Sequence, residues 1–134
     1  MKNIESQEQQ ALMQWAKLQE GKYPELQLLH AIPNGGKRNV VTATILKKEG
    51  VKSGVPDLFL PVARTNYVSY EYSEVYHGLY IEMKAPKGVV SQNQLWWISK
   101  LREQGYKVAV CYGFEQAKRV IEEYLGKKLD KYTF

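Results

Sequence analysis

Apolar extended runs and capped helical stretches take turns along this chain, and that alternation admits few folds. Ser6-Gln7-Glu8-Gln9 has capping-box spacing and opens a helix running to about Gln19, with Leu12, Trp15 and Ala16 as its apolar stripe. Leu26 to Ile32 reads as a strand or short buried segment, ended by the breakers Pro33-Asn34-Gly35-Gly36. Asn39 is placed to cap a second helix that stops at Gly50, although its β-branched residues weaken that assignment. Two strands follow, one carrying Asp57 and one from Gly78 to Lys84, with a hairpin excursion over residues 61 to 78 between them. Ser91-Gln92-Asn93-Gln94 is a second capping box, opening a helix with Leu95, Ile98 and Leu101 inward and Gly105 as its stop. Lys107 to Tyr112 is almost continuously apolar, as expected at the centre of a sheet buried on both faces, and Phe114 to Leu125 closes the order as a helix. The fold class is α/β, a mixed sheet of three to five strands flanked by helices.

A chain of 134 residues supports one core, so a single domain over residues 1–134 is expected, its body about 4–126 and its basic tail 127–134. With 44% hydrophobic and 25% charged residues, disorder is excluded, and the longest uncharged stretches are far too short to span a membrane. The polar, quickly acidic N-terminus lacks the apolar middle of a signal peptide, which points to the cytoplasm, or to the host cytoplasm if a phage encodes the chain. Cys111, the only cysteine, has no internal disulfide partner and reads as a buried strand residue. His30 and His77 have no zinc-ligand spacing, and His30 reads as a hydrogen-bonded structural residue.

The chemistry concentrates in three residues. Glu82 and Lys84 are two apart in a strand and therefore share a face, and Asp57 comes from another strand. If the strands are neighbours, two carboxylates converge with an ammonium beside them, a set that suits a divalent cation of the Mg type and phosphodiester hydrolysis. Glu8, four residues before Leu12, and Gln94, four before Ile98, fall on inward helical faces and add two polar groups in need of partners. Taken singly, each charged residue reads as solvated; one common site accounts for all five. The net charge of +5 is compatible with a polyanionic partner. Lys37, Arg38, Lys47, Lys48, Lys52, Lys84 and Lys87 all lie between Asn34 and Val89, around that site.

Glu8, Asn34-Gly35-Gly36, Gly54-Val55-Pro56-Asp57, Glu82-Met83-Lys84 and Ser91-Gln92-Asn93-Gln94, in that order, resemble a stand-alone VRR-NUC domain of the PD-(D/E)xK nuclease superfamily. The resemblance covers about residues 4 to 126. It implies a restriction-endonuclease-like core and a metal-dependent endonuclease, similar to phage and bacterial Holliday-junction resolvases that act as homodimers in repair and recombination. It makes Asp57, Glu82 and the main-chain carbonyl of Met83 the ligands of Mg²⁺, with Mn²⁺ able to substitute and no small-molecule cofactor. Lys84 would position the attacking water, Glu8 would hold metal-bound water or a second ion, and Gln94 would steady the lysine or the water. Asn34, Gly35, Gly36, Lys37, Arg38, Lys52, Ser53, Gly54, Lys87 and Ser91 would meet DNA, Gly54 by admitting phosphate where a side chain would block it.

Two other readings use the same residues: a nucleic-acid-binding module that no longer cleaves, and a nuclease for flaps or linear DNA. Nothing in the side chains selects among DNA shapes. Trp96 and Trp97 are adjacent on one helix and cannot both face inward, so one is expected to be partly exposed, as a dimer contact or a base-stacking surface. Tyr67, Tyr70, Tyr72 and Tyr76 read as the face of an amphipathic hairpin, the last three spaced as in an extended segment.

Overall fold

The computed structural model describes residues 3–33 and 39–127, and these form a mixed sheet with helices on both faces. Helix α1, Ile4–Leu18, is capped by Asn3, whose side chain accepts from the Ser6 amide at 3.2 Å. The helix therefore starts one turn earlier than its capping-box spacing predicts, and the Ser6 hydroxyl instead accepts from Gln10 Nε2 at 3.0 Å. A 3-10 turn, Pro24–Leu28, precedes the two-residue strand β1, His30–Ala31. Helix α2, Val40–Lys48, is capped by Asn39, and Gly50 beyond its end takes φ +102°, where glycine is favoured. The chain continues through β2 (Leu58–Leu60), β3 (Arg64–Tyr67), β4 (Ser73–Tyr76), β5 (Leu79–Lys84), α3 (Gln92–Glu103), β6 (Lys107–Tyr112) and α4 (Phe114–Gly126).

The sheet order is β1-β2-β5-β6, antiparallel except for the parallel pair β5 and β6, whose crossover is α3. Strand β6 is thus at an edge and not at the centre. Its apolar sequence reflects helices packed along it: α3 and α4 both lie against it, and Val108 and Cys111 are buried. The central strand is β5, and it divides its residues by face. Leu79, Ile81 and Met83 enter a core with Leu58, Leu60, Leu12, Ala16, Ala117, Ile121 and Tyr124. Tyr80, Glu82 and Lys84 point to the other face. Cys111 belongs to the core, and burial pushes its thiol up to about 11.

Strands β3 and β4 form a separate two-stranded sheet. Its base is fastened where Arg64 meets Glu25 at 2.6 Å and the Leu125 carbonyl at 3.3 Å, and where the buried Tyr124 hydroxyl donates to the Val62 carbonyl at 2.6 Å. The tyrosines do not share a face as their spacing predicts. Tyr70 and Tyr72 belong to the connecting segment, where the amides of Val68 and Ser69 donate to the Tyr72 carbonyl. Tyr70 is fully exposed, while Tyr76 lies over Tyr124 with ring centroids 6.2 Å apart.

Candidate active site

The pairing of β2 with β5 sets Leu58 opposite Ile81 and Phe59 opposite Tyr80. Carried one residue further, that register places Asp57 opposite Glu82 on one face, where directly facing residues are close neighbours. Asp57 Oδ2 accepts from the Met83 amide at 2.7 Å, which fixes the carboxyl at the point where β2 begins. In an antiparallel pair a residue's N–H and C=O point to the same side, so the Met83 carbonyl belongs to the Asp57 side of β5.

Glu82 is buried, 2% exposed, and hydrogen-bonds to the Asp57 carboxyl, an arrangement that needs a shared proton. Burial first, and then the charge of Asp57, push the Glu82 carboxyl up to about 9, against the opposing pull of Lys84. The Lys84 ammonium is 4.0 Å from Glu82 Oε2, and Lys84 is itself buried. Gln94 Nε2 donates to the same Oε2 at 3.2 Å. The other end of that amide accepts from the Ser91 amide at 2.9 Å, completing the capping box with Ser91 Oγ and the Gln94 amide. The start of α3 and the orientation of Glu82 therefore depend on one side chain.

Four of the five expected residues, Asp57, Glu82, Lys84 and Gln94, form one cluster. Glu8 is directed at the junction of β6 and α4, its Oε1 3.0 Å from where a Cβ on Gly113 would stand. The charge of Glu5, one turn earlier, also acts on Glu82. Once Asn3 caps α1, Glu5 falls in the first turn, on the same side as Glu8 by i,i+3 spacing. With Ser6 as the cap, Glu5 would stand outside the helix.

The expected DNA contacts divide. Asn34, Gly35, Gly36, Lys37 and Arg38 lie outside the described residues. Lys52 and Lys87 are exposed, and Ser91 is an exposed cap. Gly54 has φ +93°, and a Cβ there would stand 2.9 Å from Asn93 Cγ. The space where a Cβ would stand is filled by Asn93, so the glycine is required by its backbone and by the packing of α3. Lys87 is the only non-glycine among the described residues with positive φ, 71°, in the turn closed by the Gly88 amide on the Ala85 carbonyl at 2.8 Å.

Among the described residues, no group of three or more His, Cys, Asp or Glu side chains is arranged to hold a metal ion. A pair of facing carboxyls beside a main-chain carbonyl is nonetheless a hard-oxygen set of the kind that suits a divalent cation.

The VRR-NUC domain model matches residues 1–115, and the chain belongs to that family, a nuclease-type domain. A solved structure described as a VRR_NUC domain protein is similar over 100% of this chain and 98% of its own, with a TM-score of 0.75 and 28% identity. No curated protein matches the chain. No helix among the described residues is long and apolar enough to cross a membrane.

Proposed function

We propose that this chain is a metal-dependent DNA endonuclease that hydrolyses phosphodiester bonds, acting on branched DNA as a homodimer. The observation that carries this reading is the facing pair Asp57 and Glu82, with Glu82 buried beside Lys84 and steadied by Gln94. Asp57, Glu82 and the Met83 carbonyl would hold Mg²⁺, or Mn²⁺ in its place. Such an ion lowers the pKa of a bound water and neutralises charge that builds on phosphorus. Lys84 holds the attacking water at Nζ and opposes the same charge. Gln94 keeps the Glu82 carboxyl turned toward Asp57, and the negative charge of Glu5 adds to the demand for a cation.

The exposed Lys52 and Lys87 favour a phosphate backbone over a small neutral substrate. A dimer is supported by α2, which buries none of its residues and leaves Val40, Val41 and Ile45 exposed. Two copies related by a two-fold axis present paired sites, the geometry that suits symmetric cutting of a four-way junction. The test is to incubate the protein with labelled four-way junctions, flaps and linear duplex, each with Mg²⁺ and with EDTA, alongside a measured solution mass. Mg²⁺-dependent cuts concentrated at branch points by a dimer are expected. Shifted but intact DNA in every Mg²⁺ lane would mark a binding module instead.

A further inference from the structure

The loop carrying Lys52 and Ser53 and the first two turns of α3 border an open, shallow groove of about 680 Å³, lined by those two residues with Gln92, Asn93, Trp96 and Trp97. The groove is rigidly built. Asn93 Nδ2 donates to both the carbonyl and the hydroxyl of Ser53 at 2.8 Å, and Trp97 Nε1 donates to the same carbonyl at 3.2 Å. Trp97 in turn meets Trp96 edge to face, with centroids 5.4 Å apart, which sets the direction of the Trp96 ring. Trp96 is 54% exposed, a large aromatic surface left in water at the mouth of a preformed groove.

Both the lining and the location indicate what fits. The polar groups of the groove are amides, a hydroxyl and an ammonium, and no carboxylate among the described residues lines it. Gln94, the residue after Asn93, donates to Glu82, and Asp57 is four residues beyond Ser53, so each side of the groove is continuous along the chain with a residue of the carboxylate site. We infer that the groove is a subsite for one unpaired base of the DNA strand, adjacent to the phosphate being cut. The base stacks on Trp96, its edge meets the Gln92 amide, and Lys52 pairs with the neighbouring phosphate. A base inside a duplex already has both faces covered and cannot enter, so this groove selects DNA that is single-stranded or opened at the cut. The inference rests on the nuclease reading and adds the form of DNA that the site accepts.

To test it, the cut is first mapped on a splayed-arm duplex with Mg²⁺. Binding is then measured without divalent metal, using a set of duplexes in which each nucleotide around the cut is made abasic in turn. Base stacking on an aromatic side chain predicts that Trp96→Ala weakens binding about 5–150-fold and that Trp96→Phe restores most of it. One abasic position should weaken the unaltered protein by a similar factor and cost Trp96→Ala nothing further. Equal affinity of Trp96→Ala and the unaltered protein would overturn the subsite. So would losses that simply add at every abasic position, or a Trp96→Ala protein whose sedimentation mass falls from dimer to monomer, which would assign the ring to a second copy. If the protein cuts DNA with Mg²⁺ but binding ignores Trp96, only the subsite fails; if it neither binds nor cuts any DNA, the nuclease reading fails with it.

Discussion

Gln94 donates to Glu82 Oε2 at 3.2 Å while its carbonyl oxygen caps the first turn of α3, so helix start and carboxylate orientation are coupled through one amide. Gln94→Ala removes both bonds. The account predicts a stability loss of about 1–3 kcal/mol, from two net hydrogen bonds of about 0.5–1.5 kcal/mol each, together with a drop in cleavage rate of about 10–100-fold, as expected if Glu82 holds a metal that Gln94 orients it toward. Urea unfolding and single-turnover cleavage measure the two effects separately. A stability loss with an unchanged rate would leave Gln94 as a helix cap alone.

Without a divalent cation, Glu82 stays protonated up to about pH 9, against an ordinary value of 4.5. A pKa raised on folding contributes stability that is fully present below about 4.5 and is lost as pH rises through 9. A cation that takes the shared proton's place competes with protons, so Mg²⁺ should raise Tm little at pH 5 and progressively more toward pH 9. Thermal melts across that range with and without Mg²⁺ check this, and a metal-induced shift that shrinks as pH rises would contradict it.

Lys87 holds a left-handed backbone conformation at φ 71° in the turn between β5 and α3, where glycine carries no steric cost. Lys87→Gly is expected to stabilise the fold by about 1 kcal/mol. It should also weaken DNA binding and lower the salt slope of affinity by about one, if the ammonium meets a phosphate. Opposite signs in the melt and in the binding titration are the expected signature.

Gly54 cannot take a side chain without moving Asn93. Gly54→Ala should cost about 2–4 kcal/mol, from positive φ and from overpacking against α3. Chemical denaturation gives the value; a loss under about 0.5 kcal/mol, the range of ordinary surface changes, would show that the loop adapts freely.

The alternation of elements was legible because most helix boundaries carry strong local signals, such as Asn39, the Ser91 capping box and Gly105 with φ +88°. The capping-box spacing points to Ser6 while Asn3 caps α1, because Asn3 and Ser6 are both competent caps and residue type alone does not decide between them. That one-turn difference hid Glu5. Strand β6 reads as central although it is an edge strand, since burial under two helices leaves the same apolar pattern as burial between strands. Glu82 and Lys84 were legible together because strand alternation puts residues two apart on one face, whereas Asp57 joins them only through the pairing of β2 with β5. The hydrogen bond from Asp57 to Met83 and the clamp of Ser53 by Asn93 depend on long-range register, which residue types do not encode.

The central claim is that Asp57, Glu82 and Lys84 form a cation-dependent hydrolytic site, and the most direct measurement is single-turnover cleavage of branched DNA with Mg²⁺ by the unaltered protein and by Asp57→Ala, Glu82→Ala and Lys84→Ala. The account predicts that each substitution lowers the rate by about 10²–10³-fold or more while DNA binding largely persists. Full Mg²⁺-dependent cleavage by any one of the three variants would contradict it.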